Sequence, residues 1–243
     1  MRSKVKLLIV RRPGVPDATL EARLAEEEAA MRARSTQPLA VMRAYAVGDP
    51  ELYRVAAGEF DGAERPFDAQ MDVAADGPSL DALLPLFDGL GRRLDDVIDP
   101  QRSASLAGTE HPILPGAGPL LVTIANRRLP SFDHAGFVQY WLDYHGPFAR
   151  KNTPPEVGLG YRQFHTDEAA TADLMRRTGF AIGDFDGAAE CHYRDADAIR
   201  MLMGNEAVVD EATVDEREFV DHPRCVTAVL RITPGSEGHL LRA

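Results

Sequence analysis

The chain is poor in reactive and membrane-seeking features. It has two cysteines in 243 residues, Cys191 and Cys225. So few thiols exclude a disulfide framework and favour a reduced, cytoplasmic setting. Basic residues number 27 against 38 acidic ones, a net charge of −11. That balance argues against nucleic acid or an anionic membrane as partner, since both need a basic face. No segment reaches the ~20 apolar residues of a membrane span. The N-terminal run Val5–Val10 is too short for a signal peptide, and Arg11-Arg12-Pro13 ends it where a cleavage site would fall. There is no Gly-rich phosphate loop, Gly-x-Ser-x-Gly elbow or His-Glu-x-x-His. With no tight ligand motif no metal is expected, although His165, Glu190 and His192 are conceivable ligands by type. The expected partner is a small molecule, with a homodimer compatible with the chain. None of the seven histidines precedes His111, and there is a single tryptophan, Trp141.

What is present repeats. Arg11-Arg12-Pro13 follows an apolar run, and Arg127-Arg128-Leu129-Pro130 follows another. Ala44-Tyr45 matches Gly160-Tyr161, Phe67-Asp68 matches Phe185-Asp186, and Asp99-Pro-Gln-Arg102 matches Asp221-His-Pro-Arg224, all 116–122 positions apart. A slowly drifting offset with conserved element order indicates tandem duplication. Each half reads strand, helix, strand, strand, helix, strand. The second half places strands near 119–126, 158–165, 188–194 and 225–232, with helices near 133–151, 195–204 and 206–217. Asp133 and Asp195 are the expected N-caps. This order is the ferredoxin-like βαββαβ unit, whose open sheet face must be covered. The expected fold is thus α+β, two ferredoxin-like repeats forming an intramolecular α/β barrel. The boundaries are 1–108, a Pro/Gly-rich link at 109–119, and 120–243.

The segment Phe137–Arg150 concentrates the aromatic chemistry. Phe137, Trp141, Tyr144 and Phe148 repeat at helical spacing and predict one buried stripe. Tyr140-Trp141 and His145-Gly146-Pro147-Phe148 are followed by Gly158-Leu159-Gly160-Tyr161, Gln163, His165 and Phe185-Asp186-Gly187-Ala188-Ala189-Glu190. With Arg127–Ser131 and Phe219-Val220-Asp221, these residues resemble the EthD-like group of the dimeric α/β-barrel superfamily. The resemblance implies small cofactor-free enzymes: cyclases, dehydratases, decarboxylases and lactone isomerases. Haem-dependent members and accessory proteins also occur in the superfamily. The first half lacks the Tyr-Trp pair and has Glu28 or a near neighbour where His145 would be, so it resembles a degenerate copy.

The candidate catalytic residues are His145, His192, Tyr161 and His165. The candidate substrate-binding residues are Trp141, Tyr140, Gln163 and Glu190. His145 sits near a helix C-terminus, either as a general acid or base or as a capping residue. Tyr161, Gln163 and His165 alternate along a strand and share one face, lining either a pocket or the interface between the sheets. Glu190 and His192 also share a face, as an acid–base pair or a structural ion pair. Neighbouring strands would let His192 approach Tyr161 or His165. Arg127, Arg128 and Asp221 have first-half counterparts, so Asp221 and at least one of the arginines are expected to be structural, with anion binding the alternative for the arginines. The leading expectation is a cofactor-independent lyase or isomerase acting on a small apolar carbonyl compound, aromatic or polyketide-like. The alternatives are a non-catalytic binding or accessory protein, and a haem or metal oxidoreductase.

Overall fold

The computed structural model describes residues 2–58, 66–75, 79–154, 158–203 and 205–235. The first repeat contains β1 (Arg2–Ile9), α1 (Asp17–Arg34), β2 (Leu39–Ala46), α2 (Pro50–Ala57), β3 (Ala69–Ala75), α3 (Leu90–Arg93) and β4 (Ala104–Leu114). The second contains β5 (Leu120–Asn126), α4 (His134–Tyr140), a π-helical turn (Trp141–His145), α5 (Gly146–Asn152), β6 (Gly158–Thr166), α6 (Glu168–Thr178), β7 (Gly187–Tyr193), α7 (Ala196–Met203), α8 (Glu206–Glu216) and β8 (Val226–Ile232). The strands close one barrel in the order β1-β3-β2-β8-β5-β7-β6-β4. Each half supplies a four-stranded ferredoxin-like sheet, and β2–β8 and β4–β6 are the two seams. The expected fold is the observed one, closed within a single chain. No helix among the described residues is long and apolar enough to cross a membrane.

The duplication survives at the level of single hydrogen bonds. The amide of Arg11 donates to Asp68 and that of Arg128 to Asp186, both at 2.8 Å. Asp99 N–H donates to the Val10 carbonyl and Asp221 N–H to that of Arg127. The structural partner of Arg11 is therefore Arg128, one position later than the sequence alignment of the Arg-Arg pairs gives. Arg127 instead lies 4.0 Å from the Phe185 ring centroid and pairs with Asp184. Both arginines brace the second repeat, and Asp133 and Asp195 cap their helices as expected.

Two elements differ from expectation. Residues 109–114, expected as link, continue β4 along β6. Helix α6 was not expected, because its buried face is built from Thr171, Leu174 and Thr178 and so carries no apolar stripe. The threonines bond instead: Thr171 Oγ1 accepts from Ala107 N at 3.0 Å, and Thr178 Oγ1 lies 3.1 Å from Ser105 Oγ.

Every strand presents one face to the barrel interior and the other to helices. In β1, Val5, Leu7 and Ile9 face outward into a core with Leu20, Leu24 and Met31 of α1. Leu8 and Val10 face inward, with Leu106, Leu121, Phe164 and Leu230. Lys4 and Lys6 also face inward, and both are fully buried. Lys4 Nζ donates to Asp72 at 2.6 Å, to Glu110 at 2.5 Å and to Glu190 at 3.1 Å. Lys6 Nζ donates to Asp72 at 2.9 Å and also to Glu190. Gln70 Nε2 donates to Glu190 at 2.6 Å, and its oxygen accepts from Thr123 at 2.8 Å. Burial opposes charge on Lys4, but Asp72, Glu110 and Glu190 outweigh it and hold the ammonium well above its usual range. Burial likewise opposes charge on Glu190, but Lys4 and Lys6 hold the carboxyl well below its usual range. Removing one partner strands its counter-charges in a dry interior. Lys6→Met is predicted to lower unfolding free energy by about 3–5 kcal/mol, measured by urea titration. A loss below 1 kcal/mol would refute a fully paired network.

Candidate active site

The aromatic helix does not run as a regular α-helix. The amide of Gly146 donates to the carbonyl of Trp141, a five-residue spacing that widens the turn. The wide turn shifts the buried position by one residue. Tyr144, expected on the buried stripe, is 65% exposed, and His145 is 5% exposed in its place. Gln163 Nε2 also donates to the Trp141 carbonyl, at 2.9 Å, and fixes the turn on β6. A Cβ on Gly146 would lie 3.4 Å from that same Gln163 nitrogen. Gly187 is required more strictly. A Cβ there would meet the Phe164 carbonyl and come within 2.6 Å of Trp141 Cζ3. The Phe-Asp-Gly motif thus opens the surface on which Trp141 lies.

Tyr161, Gln163 and His165 do share the helix-facing side of β6. The Trp141 indole N–H donates to the Tyr161 hydroxyl at 3.0 Å. The Gln163 amide nitrogen lies 3.4 Å from that hydroxyl, and His165 Nε2 lies 3.0 Å from the Gln163 oxygen. These contacts fit one polarity, with His165 donating to Gln163 and Gln163 to Tyr161 and Trp141. Tyr161 then receives two hydrogen bonds and keeps its own proton to donate. Burial pushes the Tyr161 hydroxyl well above its usual range, so it stays protonated. Burial pushes His165 down to about 3, aided by His111, on which it stacks at 4.4 Å.

Beneath α5 and α8 lies a cavity of about 160 Å³, lined by Ile124, Phe148, Ala149, Ala189, Leu202 and Met203 with a few polar groups. Ala56 and Ala57 of α2 complete a wall, so the first repeat contributes to the site. His145 and Tyr161 both line it, their rings 6.1 Å apart. His145 Nδ1 lies 2.7 Å from Asp215 of α8. A carboxylate can only accept, so Nδ1 donates to Asp215 and Nε2 is the ring nitrogen left for another partner. Tyr140 does not line the cavity. Its hydroxyl donates to the other Asp215 oxygen at 3.2 Å and holds the carboxylate in place. Glu216 lines the cavity with one oxygen 3.8 Å from His145 Nε2. Cys191 also lines it, with its thiol pushed up to about 12 by burial and Glu216, which rules it out as a thiolate nucleophile.

Six of the expected site residues lie elsewhere. Trp141, Gln163 and His165 form the hydrogen-bonded layer behind Tyr161, and Tyr140 stands behind Asp215. Glu190 and His192 project into the barrel, on the opposite side of the sheet from Tyr161. The reason is register: Tyr161 is paired with Cys191, and His192 with Gly160. Directly paired residues share a face, so the expected approach of His192 to Tyr161 or His165 does not occur. His192 bonds Arg162, and burial with that arginine pushes it down to about 3. Asp215, Glu216 and Tyr193 were missed as site residues. The only signal for Asp215 and Glu216 was membership of an acidic helix.

The comparisons bear on the family and the fold. Residues 129–223 match the EthD domain family. The second repeat is an EthD-like domain. No protein of curated function matches the chain by sequence. Among solved structures, a putative chlorite dismutase is similar over 99% of this chain and 98% of its own, at 13% identity and a TM-score of 0.54. A dye-decolorizing peroxidase from Bacteroides thetaiotaomicron is similar over 95% and 93%, at 9% identity and 0.51. At such identities the likeness is one of fold.

The depressed histidines make stability pH-dependent. His192 titrates near 3 in the fold against 6.5 in its absence. Unfolded chains therefore take up a proton that the fold refuses, and stability falls as pH drops below 6.5. Between pH 7 and pH 5 the parent should lose about 2 kcal/mol more than His192→Gln, read from urea midpoints. Equal losses would show that His192 is charged in the fold.

Proposed function

We infer that the EthD-like half is a cofactor-independent acid–base enzyme, a lyase or isomerase acting on a small apolar carbonyl compound. The observation that carries this reading is the His145–Asp215 hydrogen bond of 2.7 Å at the wall of the cavity that Tyr161 also lines. Asp215 orients the imidazole and stabilises its protonated form, leaving Nε2 to take a proton from substrate. With the substrate carbonyl oxygen against the Tyr161 hydroxyl, the carbon beside it is the one His145 deprotonates. The enolate oxygen then receives the Tyr161 hydrogen bond. Returning the proton to another carbon gives isomerisation; delivering it to a departing β-oxygen gives dehydration. The apolar lining strengthens both interactions by limiting water.

The size of the cavity narrows the substrate. About 160 Å³ is near the ~150 Å³ that accommodates one benzene ring. That supports a one-ring compound rather than a polycyclic, polyketide-like one. It also bears on the haem alternative. The volume lies below the ~300–1,000 Å³ clefts that hold drug-sized ligands, and a porphyrin exceeds it. That volume weighs against a porphyrin in this cavity. The close cluster of His134, Glu168 and Asp186 is no better as a metal site. His134 uses one nitrogen on Asp186 at 3.0 Å and the other on the Thr166 carbonyl at 2.8 Å, and Arg128 pairs with Asp186.

The test is solvent-deuterium incorporation next to the carbonyl in a panel of one-ring ketones. His145→Ala should lower the exchange rate by roughly 10²–10⁴-fold. Asp215→Asn and Tyr161→Phe should lower it in the same direction, and His192→Gln should leave it unchanged. Full activity in His145→Ala would end the proposal.

A further inference from the structure

Tyr193 is 1% exposed, lines the same cavity, and has a hydroxyl with no hydrogen-bond partner among the described residues. Its neighbour there is the Cys191 thiol, a weak partner at best and itself protonated. A phenylalanine would fill the same volume without leaving a buried polar group unpaired. The hydroxyl is therefore available to a ligand in the cavity. Tyr161 is opposite Cys191, and Tyr193 is two residues further along, past the β-bulge at Gly158–Gly160. Both side chains line the cavity and can contact one small molecule together. The charge of the lining is also selective. Glu216 lines the cavity, and no lysine or arginine does among the described residues. A carboxylate, phosphate or thioester-nucleotide ligand would meet the Glu216 carboxylate with no lysine or arginine in the described lining to offset it.

Resting on the acid–base reading for its chemistry, we propose that Tyr193 is a specificity-determining residue, and that the substrate is a neutral one-ring compound with two oxygens. One oxygen, the carbonyl that becomes the enolate, is held by Tyr161. The second, a hydroxyl or keto group across the ring, is held by Tyr193.

Equilibrium binding of phenol, benzene-1,3-diol and 3-hydroxybenzoate tests this without turnover. The parent should bind the diol roughly three- to tenfold more tightly than phenol, as one net neutral hydrogen bond provides. It should bind 3-hydroxybenzoate more weakly than either. Tyr193→Phe should erase the preference for the diol and bind phenol as before. Its melting temperature should match the parent's, since only a weak contact with the Cys191 thiol is lost. A preference that persists in Tyr193→Phe, or none in the parent, overturns the subsite. Tight binding of the benzoate overturns the neutral class. His145→Ala should keep the diol preference while losing deuterium exchange. A protein with the preference and no exchange on any ketone would refute the acid–base reading and leave the subsite standing.

Discussion

The two ammonium groups of β1 inside the barrel are the constraint around which the rest is arranged. Lys4 and Lys6 belong to the first repeat, and Glu190 belongs to the second. Their bonds cross the interior and join the sheets where apolar packing alone would leave their relative register loosely set. Such a network is costly unless complete, and here Asp72, Glu110, Gln70 and Thr123 complete it. It fixes β7, and with it the faces on which every residue of β6 and β7 falls.

That placement separates two kinds of chemistry on one sheet. Inward, Glu190 and His192 are committed to Lys4, Lys6 and Arg162. Outward, Tyr161, Cys191 and Tyr193 meet the helices and the cavity. The π-turn then does for the helix what register does for the strands. By widening one turn, it moves His145 into the position that regular helical spacing assigns to Tyr144. Gln163 bonds both the turn and Tyr161, so the turn that carries His145 and the Tyr161 hydroxyl are held by one side chain. The duplicated ancestry persists in the Arg11–Asp68 and Arg128–Asp186 braces. The Tyr140-Trp141 pair and His145 lie in the second copy alone.

Much was legible in the residues. Repeated Arg-Arg, Phe-Asp and Asp-turn signatures carried the duplication, and the strand spacing carried the ferredoxin-like order. Asp133 and Asp195 marked helix starts through the local bonding of their own side chains. Helix α6 was hidden because its inner face bonds through threonines rather than packing apolar groups. Lys4 and Lys6 drew no expectation from the sequence, because their partners lie 66–186 positions away, beyond any local pattern.

The sequence by itself determined the architecture and which residues share a face, because alternation in strands and turn periodicity in helices are local properties of the chain. Only the tertiary structure decided which face was which. Both sides of these strands are buried, so alternation could not tell the interior of the barrel from the underside of a helix. It also decided that His145, and not Tyr144 or His192, meets the cavity with Asp215. That pairing depends on one widened turn and on a helix 70 residues away.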